Sequence, residues 1–496
     1  MGAEFFKPED FRLILPEVQL ALFGLGILLT DFLLEDRYKY WNAVMAMLGV
    51  GFSGYSLWQL RGLIAGNNGN NDQIGFNGTV LVDPFFLFFS FIFLAATALV
   101  ILLSVHYLEV EAEHHGEYYA LMLFATIGMM FMVSGIDIIV QFIALETMAI
   151  SFYVLTGFLR GDRRSNEGAL KYVLLGAFSS GILAYGFSIM YGLAGSTNLV
   201  DIANSFARKP PSDILVFLSL ATVSTGLFFK VAAVPFHQWA PDVYEGAPTS
   251  ITAYVSVASK TASFALLLRL FLTAFWPARI TWVMLLAGVA VASLTLGNIA
   301  AITQTNVKRL LAYSSISHVG YILLGLVAGN KTGLQAMAFY LFVYAFFNTG
   351  AFAIVIILRR KGLIGDELED LNGLIQRSPG AAALLLLFML SLAGIPPTAG
   401  FVGKYYIFLA LIETRHYWLA VFAVLYIVPA VYYYFRLIVH AFMRESTDPV
   451  RPTVSAGQAV ALTVAGFVAL AAGIYPEPFV RLANYSLFMP FGPLAR

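Results

Sequence analysis

Cysteine is absent from the 496 residues, which excludes disulfides, thiolate-held iron–sulfur clusters and cysteine nucleophiles. Charge is scarce as well: Asp, Glu, Lys and Arg make up 12% of the chain, where a soluble globular protein carries about a quarter. A water-facing surface needs charge, so little of this chain can face water. The 29 basic and 29 acidic residues cancel. No basic cluster forms a nucleic-acid footprint or a polybasic membrane-surface tail, so no nucleic-acid partner is expected. The first ten residues include Glu4, Lys7, Glu9 and Asp10 and lack the basic region, short apolar core and small-residue cleavage site of a signal peptide. The first apolar run is therefore expected to stay in the mature protein. A P-loop, an HExxH pair and a nucleophile elbow are also missing. Gly49-Val-Gly51-Phe-Ser-Gly54 matches the dinucleotide-binding glycine pattern, but it lies inside an apolar run with no strand before it. Its expected role is helix packing. His106, His114 and His115 stand in an acidic loop and are read as solvated rather than as metal ligands. No cofactor or metal is expected in this chain.

What the chain has in abundance is hydrophobicity, at 59% of residues. A helix needs roughly 20 mostly apolar residues to cross about 30 Å of hydrocarbon. Fourteen such runs are found, at approximately 11–34, 40–62, 81–107, 116–134, 136–159, 166–194, 213–245, 247–275, 281–302, 307–329, 332–358, 379–412, 418–443 and 455–475. Lipid cannot satisfy open backbone groups, and no period-2 alternation points to a barrel, so the fold class is an all-α polytopic membrane protein. An even number of spans puts both termini on one side. With the termini outside, thirteen loop lysines and arginines lie inside against ten outside. The positive-inside bias thus favours periplasmic termini at a bacterial inner membrane.

The seventh and twelfth runs are overlong and interrupted by proline: Val234-Pro235-Phe236 and Ala240-Pro241 in one, Gly394-Ile395-Pro396-Pro397 in the other. Proline removes an amide donor and clashes with the preceding turn, so each run is expected to be two half-helices around an unwound segment. Lys230 precedes the first break, Lys404 follows the second, and the broken spans are five apart. Such pairs point to inverted repeats around a midplane ion site. The expected organisation is an N-terminal three-helix segment (1–107), repeats at 116–275 (spans four to eight) and 281–443 (spans nine to thirteen), and a final span and tail (455–496).

Some charges fall where charge is expensive, at about 2.5–3.5 kcal/mol each near the bilayer centre. Glu146 is well inside the fifth span, Lys171 in the sixth, and Lys260 deep in the eighth. With Lys230 and Lys404 they form a candidate proton relay, because a buried lysine can load and release a proton as a neighbouring charge approaches or withdraws. His237 and His318 can pass protons between the lysines. Asp137, Arg269 and Arg436 lie near span ends and are read as anchors.

The stretch Lys230-Val-Ala-Ala-Val-Pro235-Phe-His237-Gln-Trp239-Ala-Pro241-Asp-Val-Tyr244-Glu245-Gly-Ala-Pro248-Thr249 resembles the signature of the antiporter-like subunits of respiratory complex I and of multisubunit cation/proton antiporters. Lys308-Arg309-Leu-Leu-Ala-Tyr-Ser-Ser-Ile-Ser-His318 and Ala393-Gly-Ile-Pro-Pro-Thr-Ala-Gly-Phe-Val-Gly-Lys404 support it. Leu15-Pro16-Glu17-Val18 is similar to the opening of the N-type subunits, and lysine at 404 agrees, since M-type subunits have glutamate there. The resemblance implies an intersubunit switch pair at Glu146 and Lys171, proton transfer through Lys230 and Lys260, and a periplasmic connection through Lys404. It also implies NADH, flavin, iron–sulfur clusters and quinone in the parent complex, and other membrane-arm subunits as partners.

Overall fold

The computed structural model describes residues 7–65, 73–113, 115–210, 213–360, 365–446 and 450–486; His114 lies outside them. Eleven of the described helices have the length and hydropathy to cross a membrane. The other three expected spans are present in forms that miss those criteria. Span one, Leu15–Asp31, has 17 residues. Span two, Tyr40–Ala65, is long enough but interspersed with Asn42, Ser53, Ser56 and Gln59. Span twelve is two helices, Pro379–Ala393 and Ala399–Glu413. The one sheet among the described residues is a short antiparallel hairpin, Gln73–Gly75 with Val80–Val82, before span three (Pro84–Glu111).

Spans eight, ten and eleven (Thr249–Leu272, Val307–Ala328, Lys331–Leu358) are almost wholly enclosed and form the centre of the molecule. Spans six, thirteen and fourteen (Arg163–Ala194, Tyr417–Met443, Ala456–Ile474) turn most of their surface outward. Helix starts follow local chemistry. Asp83, Asp137, Asp213, Asn306, Asn330 and Ser455 each accept from a first-turn amide that would otherwise be orphaned. Asp137 is thus a nearly buried cap of span five, Ile138–Thr156, rather than an anchor in the headgroups.

Both predicted breaks occur, and they match in detail. The first half of span seven, Ile214–Val231, ends on Ala232 with φ +59°, and the first half of span twelve ends on Gly394 with φ +80°. Each left-handed residue turns its amide back to the helix's last carbonyls. The Val234–Pro235 and Pro396–Pro397 peptides are both cis. Chain resumes as helix at Trp239–Gly246 and Ala399–Glu413.

Other contacts recur at a constant offset along the chain. Gly128 of span four (Gly116–Ser134) lies against the backbone of Ala144 and Met148, and Gly297 of span nine (Arg279–Ile302) against that of Tyr313 and Ser317. The same offset relates the bridge Asp137–Asn198 to Asn306–Glu367. It also carries Glu146 onto Ser315. A Cβ at Gly297 would stand 2.6 Å from the Ser317 nitrogen, so Gly297→Ala must force two backbones apart. The expected cost is about 1–3 kcal/mol, read as a lower melting temperature of the purified protein; an unchanged melting curve would disprove the close approach. Gly49 does similar work, its Cβ position lying 2.8 Å from Cβ of Phe23 of span one. Gly51 faces open space and Gly54 faces Leu94 of span three, so of the dinucleotide-like glycines only Gly49 packs span two against span one.

Candidate functional site

Lys230, Lys260, His318 and Lys404 are buried in the interior of the bundle, between 2% and 3% exposed. Lys230 ends the first half of span seven, and its Nζ donates to Tyr153 Oη at 3.3 Å. The Tyr153 ring meets Tyr172 edge-on at 4.8 Å, and Tyr172 stacks on Trp239 at 4.5 Å. Trp239 in turn donates its indole N–H to the Phe229 carbonyl, in the last turn before the break, at 2.8 Å. The indole therefore ties the two half-helices together beside the lysine.

Lys260 follows a widened π turn, Val255–Ser259, inside span eight. Such turns displace side chains from regular helical register and recur at functional sites. Lys260 Nζ donates to Ser315 Oγ, and Ser315 is within 2.7 Å of Tyr344 Oη. Next along span ten comes His318, with Nδ1 2.6 Å from Tyr340 Oη and Nε2 3.1 Å from Tyr434 Oη. A neutral imidazole with one partner per nitrogen can donate at one and accept at the other, as a relay requires. Tyr434 is also bonded to Ser314. Beyond His318, Lys404 lies with its Nζ 4.6 Å from the centre of the Tyr321 ring. It donates to the carbonyls of Leu392 and Ala393 at 3.1 and 2.9 Å. Those two oxygens lost their helical partners at the break, so a cation sits at the negative end of a half-helix.

The remaining sequence candidates are placed differently. Glu146 is partly buried and accepts from Ser180 Oγ at 2.5 Å. Lys171 is partly exposed and bonded to Asp242 at 2.6 Å and Glu167 at 2.8 Å. The two are engaged with separate partners and do not form a pair with each other here. His237 lies half-buried in the first break, with Nδ1 buried and no hydrogen-bond partner among the described residues.

Sequence reasoning missed an ionic cluster at the end of the second half-helix of span seven. Arg309 Nη1 lies 2.8 Å from both Asp242 and Glu245, and Asp242 also holds Lys171. Arg164 approaches Glu245 and Asp366 at 3.8 Å. Asp242 and Glu245 are three residues apart on one helix face, a spacing that was visible in the sequence. Lys308 is corrected too. It counts among the loop charges above, yet it is buried and caps the same half-helix by donating to the Glu245 and Ala247 carbonyls at 2.7 Å. Arg269, read as an anchor, is fully buried and pairs with Asp83 at 2.6 Å. Among the described residues no group of three His, Asp or Glu side chains is placed to hold a metal ion.

The family model described as NADH:quinone oxidoreductase/Mrp antiporter, TM, matches residues 134–428, which include both breaks. NADH-quinone oxidoreductase subunit N 2 of Solibacter usitatus is 56% identical over 488 residues, covering 98% of this chain and 99% of that protein. The chain belongs to the subunit N family of NADH-quinone oxidoreductase. Subunit N 1 of Koribacter versatilis agrees, at 53% identity over 97% of this chain and 96% of its own. Among solved structures, a chain of respiratory complex I from Thermus thermophilus with bound aureothin is 31% identical, with a TM-score of 0.79 over 95% of this chain and 99% of that one. A chain of the Mrp complex from Dietzia sp. DQ12-45-1b has a TM-score of 0.81 over 95% of this chain and 96% of that one. At 21% identity it shows the shared fold alone. This subunit N is a multi-pass, antiporter-like membrane subunit of bacterial respiratory complex I, within the membrane arm that translocates protons.

Proposed function

We propose that protons cross this subunit along the row Glu146, Lys230, Lys260, His318 and Lys404, with Lys171 and His237 flanking its Lys230 end, driven by quinone reduction elsewhere in the complex. The observation that carries this reading is the row itself: three enclosed lysines and a doubly hydrogen-bonded histidine, each facing a hydroxyl, a freed carbonyl or an aromatic ring. Water crosses the intervals wider than a hydrogen bond. The matching breaks and the constant offset support two inverted repeats, 116–275 and 281–443, flanked by 1–107 and 455–496. In this organisation the row runs along the seam between the repeats. Both termini are periplasmic at the inner membrane, and the outward faces of spans five, six and thirteen meet lipid or neighbouring membrane-arm subunits. The redox groups belong to other subunits.

The test is NADH-driven proton pumping by membrane vesicles whose native copy carries Lys230→Ala, with NADH oxidation followed in parallel. Pumping and quinone-linked oxidation are expected to fall several-fold together with the complex still assembled. Intact NADH oxidation with loss of cation-dependent proton exchange would instead support a stand-alone cation/proton antiporter.

A further inference from the structure

An apolar groove of about 580 Å³ opens on the outer side of spans two, three and eleven, under the C-terminal helix Glu477–Tyr485. Its floor is a stripe of span three running from Leu87 and Phe88 through Phe91 to Ala95. At 1.5 Å per residue the stripe descends about 12 Å from the first turn of that span toward the bilayer centre. Two arginines stand at the shallow end. Arg61 is in the last turn and a half of span two, its guanidinium 4.9 Å from the Trp58 ring centre. Arg481 is on the amphipathic terminal helix, exposed and paired with Glu477 on the same helix. Both line the groove.

A pair of cations at interface depth above an apolar trough has the outline of a single amphiphile. A free phosphate would leave the trough unused. Glu477 offsets one of the two arginines, so the rim keeps one net positive charge, which the single negative charge of an anionic phospholipid matches and a zwitterionic lipid, bringing its own cation, does not. Basic pockets between membrane helices recognise anionic headgroups through this combination, with tryptophan and tyrosine at headgroup level. We propose that the groove binds one anionic phospholipid, its phosphate at Arg61 and Arg481 and its acyl chains along span three.

The intact complex is purified in mild detergent, exchanged into micelles carrying either phosphatidylglycerol or phosphatidylcholine, and the lipid retained by this subunit is read by native mass spectrometry. One phosphatidylglycerol per chain is expected, without retention of phosphatidylcholine. The double variant Arg61→Gln/Arg481→Gln should reduce retention about tenfold or more. Ala95→Trp, which fills the trough and leaves both arginines in place, should do the same. Equal retention of the two lipids, or unchanged retention in both variants, overturns the assignment. So does a photo-crosslinker at position 91 that captures a neighbouring protein chain instead of lipid.

Discussion

Replacing Lys260 by methionine is expected to reduce NADH-driven proton pumping about a hundredfold or more, the lower end of the usual range for loss of a proton-transferring group. Methionine keeps an unbranched chain of similar length and fills irregular space, so the fold and the assembled complex should persist. The large effect follows from position. Lys260 extends from span eight to Ser315 on span ten, and Ser315 leads to Tyr344 beside His318. Among the described residues no other lysine of the proposed row bonds to span ten, so on that proposed path a proton reaching Lys230 would have no equivalent group to receive it. Ser315→Ala should act more mildly, because it removes a partner and leaves the titrating amine. Pumping is measured with a pH-sensitive dye in vesicles, and assembly by native electrophoresis of the solubilised complex. Normal pumping in Lys260→Met with assembly intact would remove Lys260 from the path.

Arg269→Met should be severe in another way, through folding. The guanidinium is wholly enclosed, bonded to both oxygens of Asp83 at 2.6 and 3.0 Å and to the Val133 carbonyl at 3.0 and 3.2 Å. Removing one partner of a buried pair strands the other charge, at a cost of about 3–5 kcal/mol. That is a large part of the stability of a typical protein, so little Arg269→Met subunit should accumulate in membranes. The double variant Arg269→Met/Asp83→Leu removes both charges and should recover much of the yield. Quantitative immunoblotting of membranes and melting of the purified complexes check both arms. Wild-type accumulation of the single variant would show the pair to be dispensable.

The spans and the two breaks were legible in the sequence because run length and proline are local signals. Fourteen runs were read, and the three that escape the length and hydropathy criteria are the 17-residue first helix, the polar-dotted second and the broken twelfth. Burial of Lys230, Lys260 and Lys404 followed from their depth within those runs. The partners did not, because they are distant in sequence: Asp83 and Arg269 are 186 residues apart, and Lys260 and Ser315 are 55 apart. Lys308 was misplaced and Asp242 overlooked for a related reason. They lie at helix ends, where a charge reads as solvated until a neighbouring half-helix is known to offer free carbonyls or a counter-ion. The π turn before Lys260 left no trace in residue type.

Gly128 and Gly297 hold two pairs of helices at backbone contact. Helices locked that closely have little freedom to slide, and each pair should behave as a stiff beam. The compliance of the molecule is then concentrated where regular backbone bonding is interrupted, at 232–238 and 394–398. A push delivered at the protein's flank would be stored as bending at those two joints. Lys230 stands beside one joint and Lys404 beside the other, so such bending would displace both side chains.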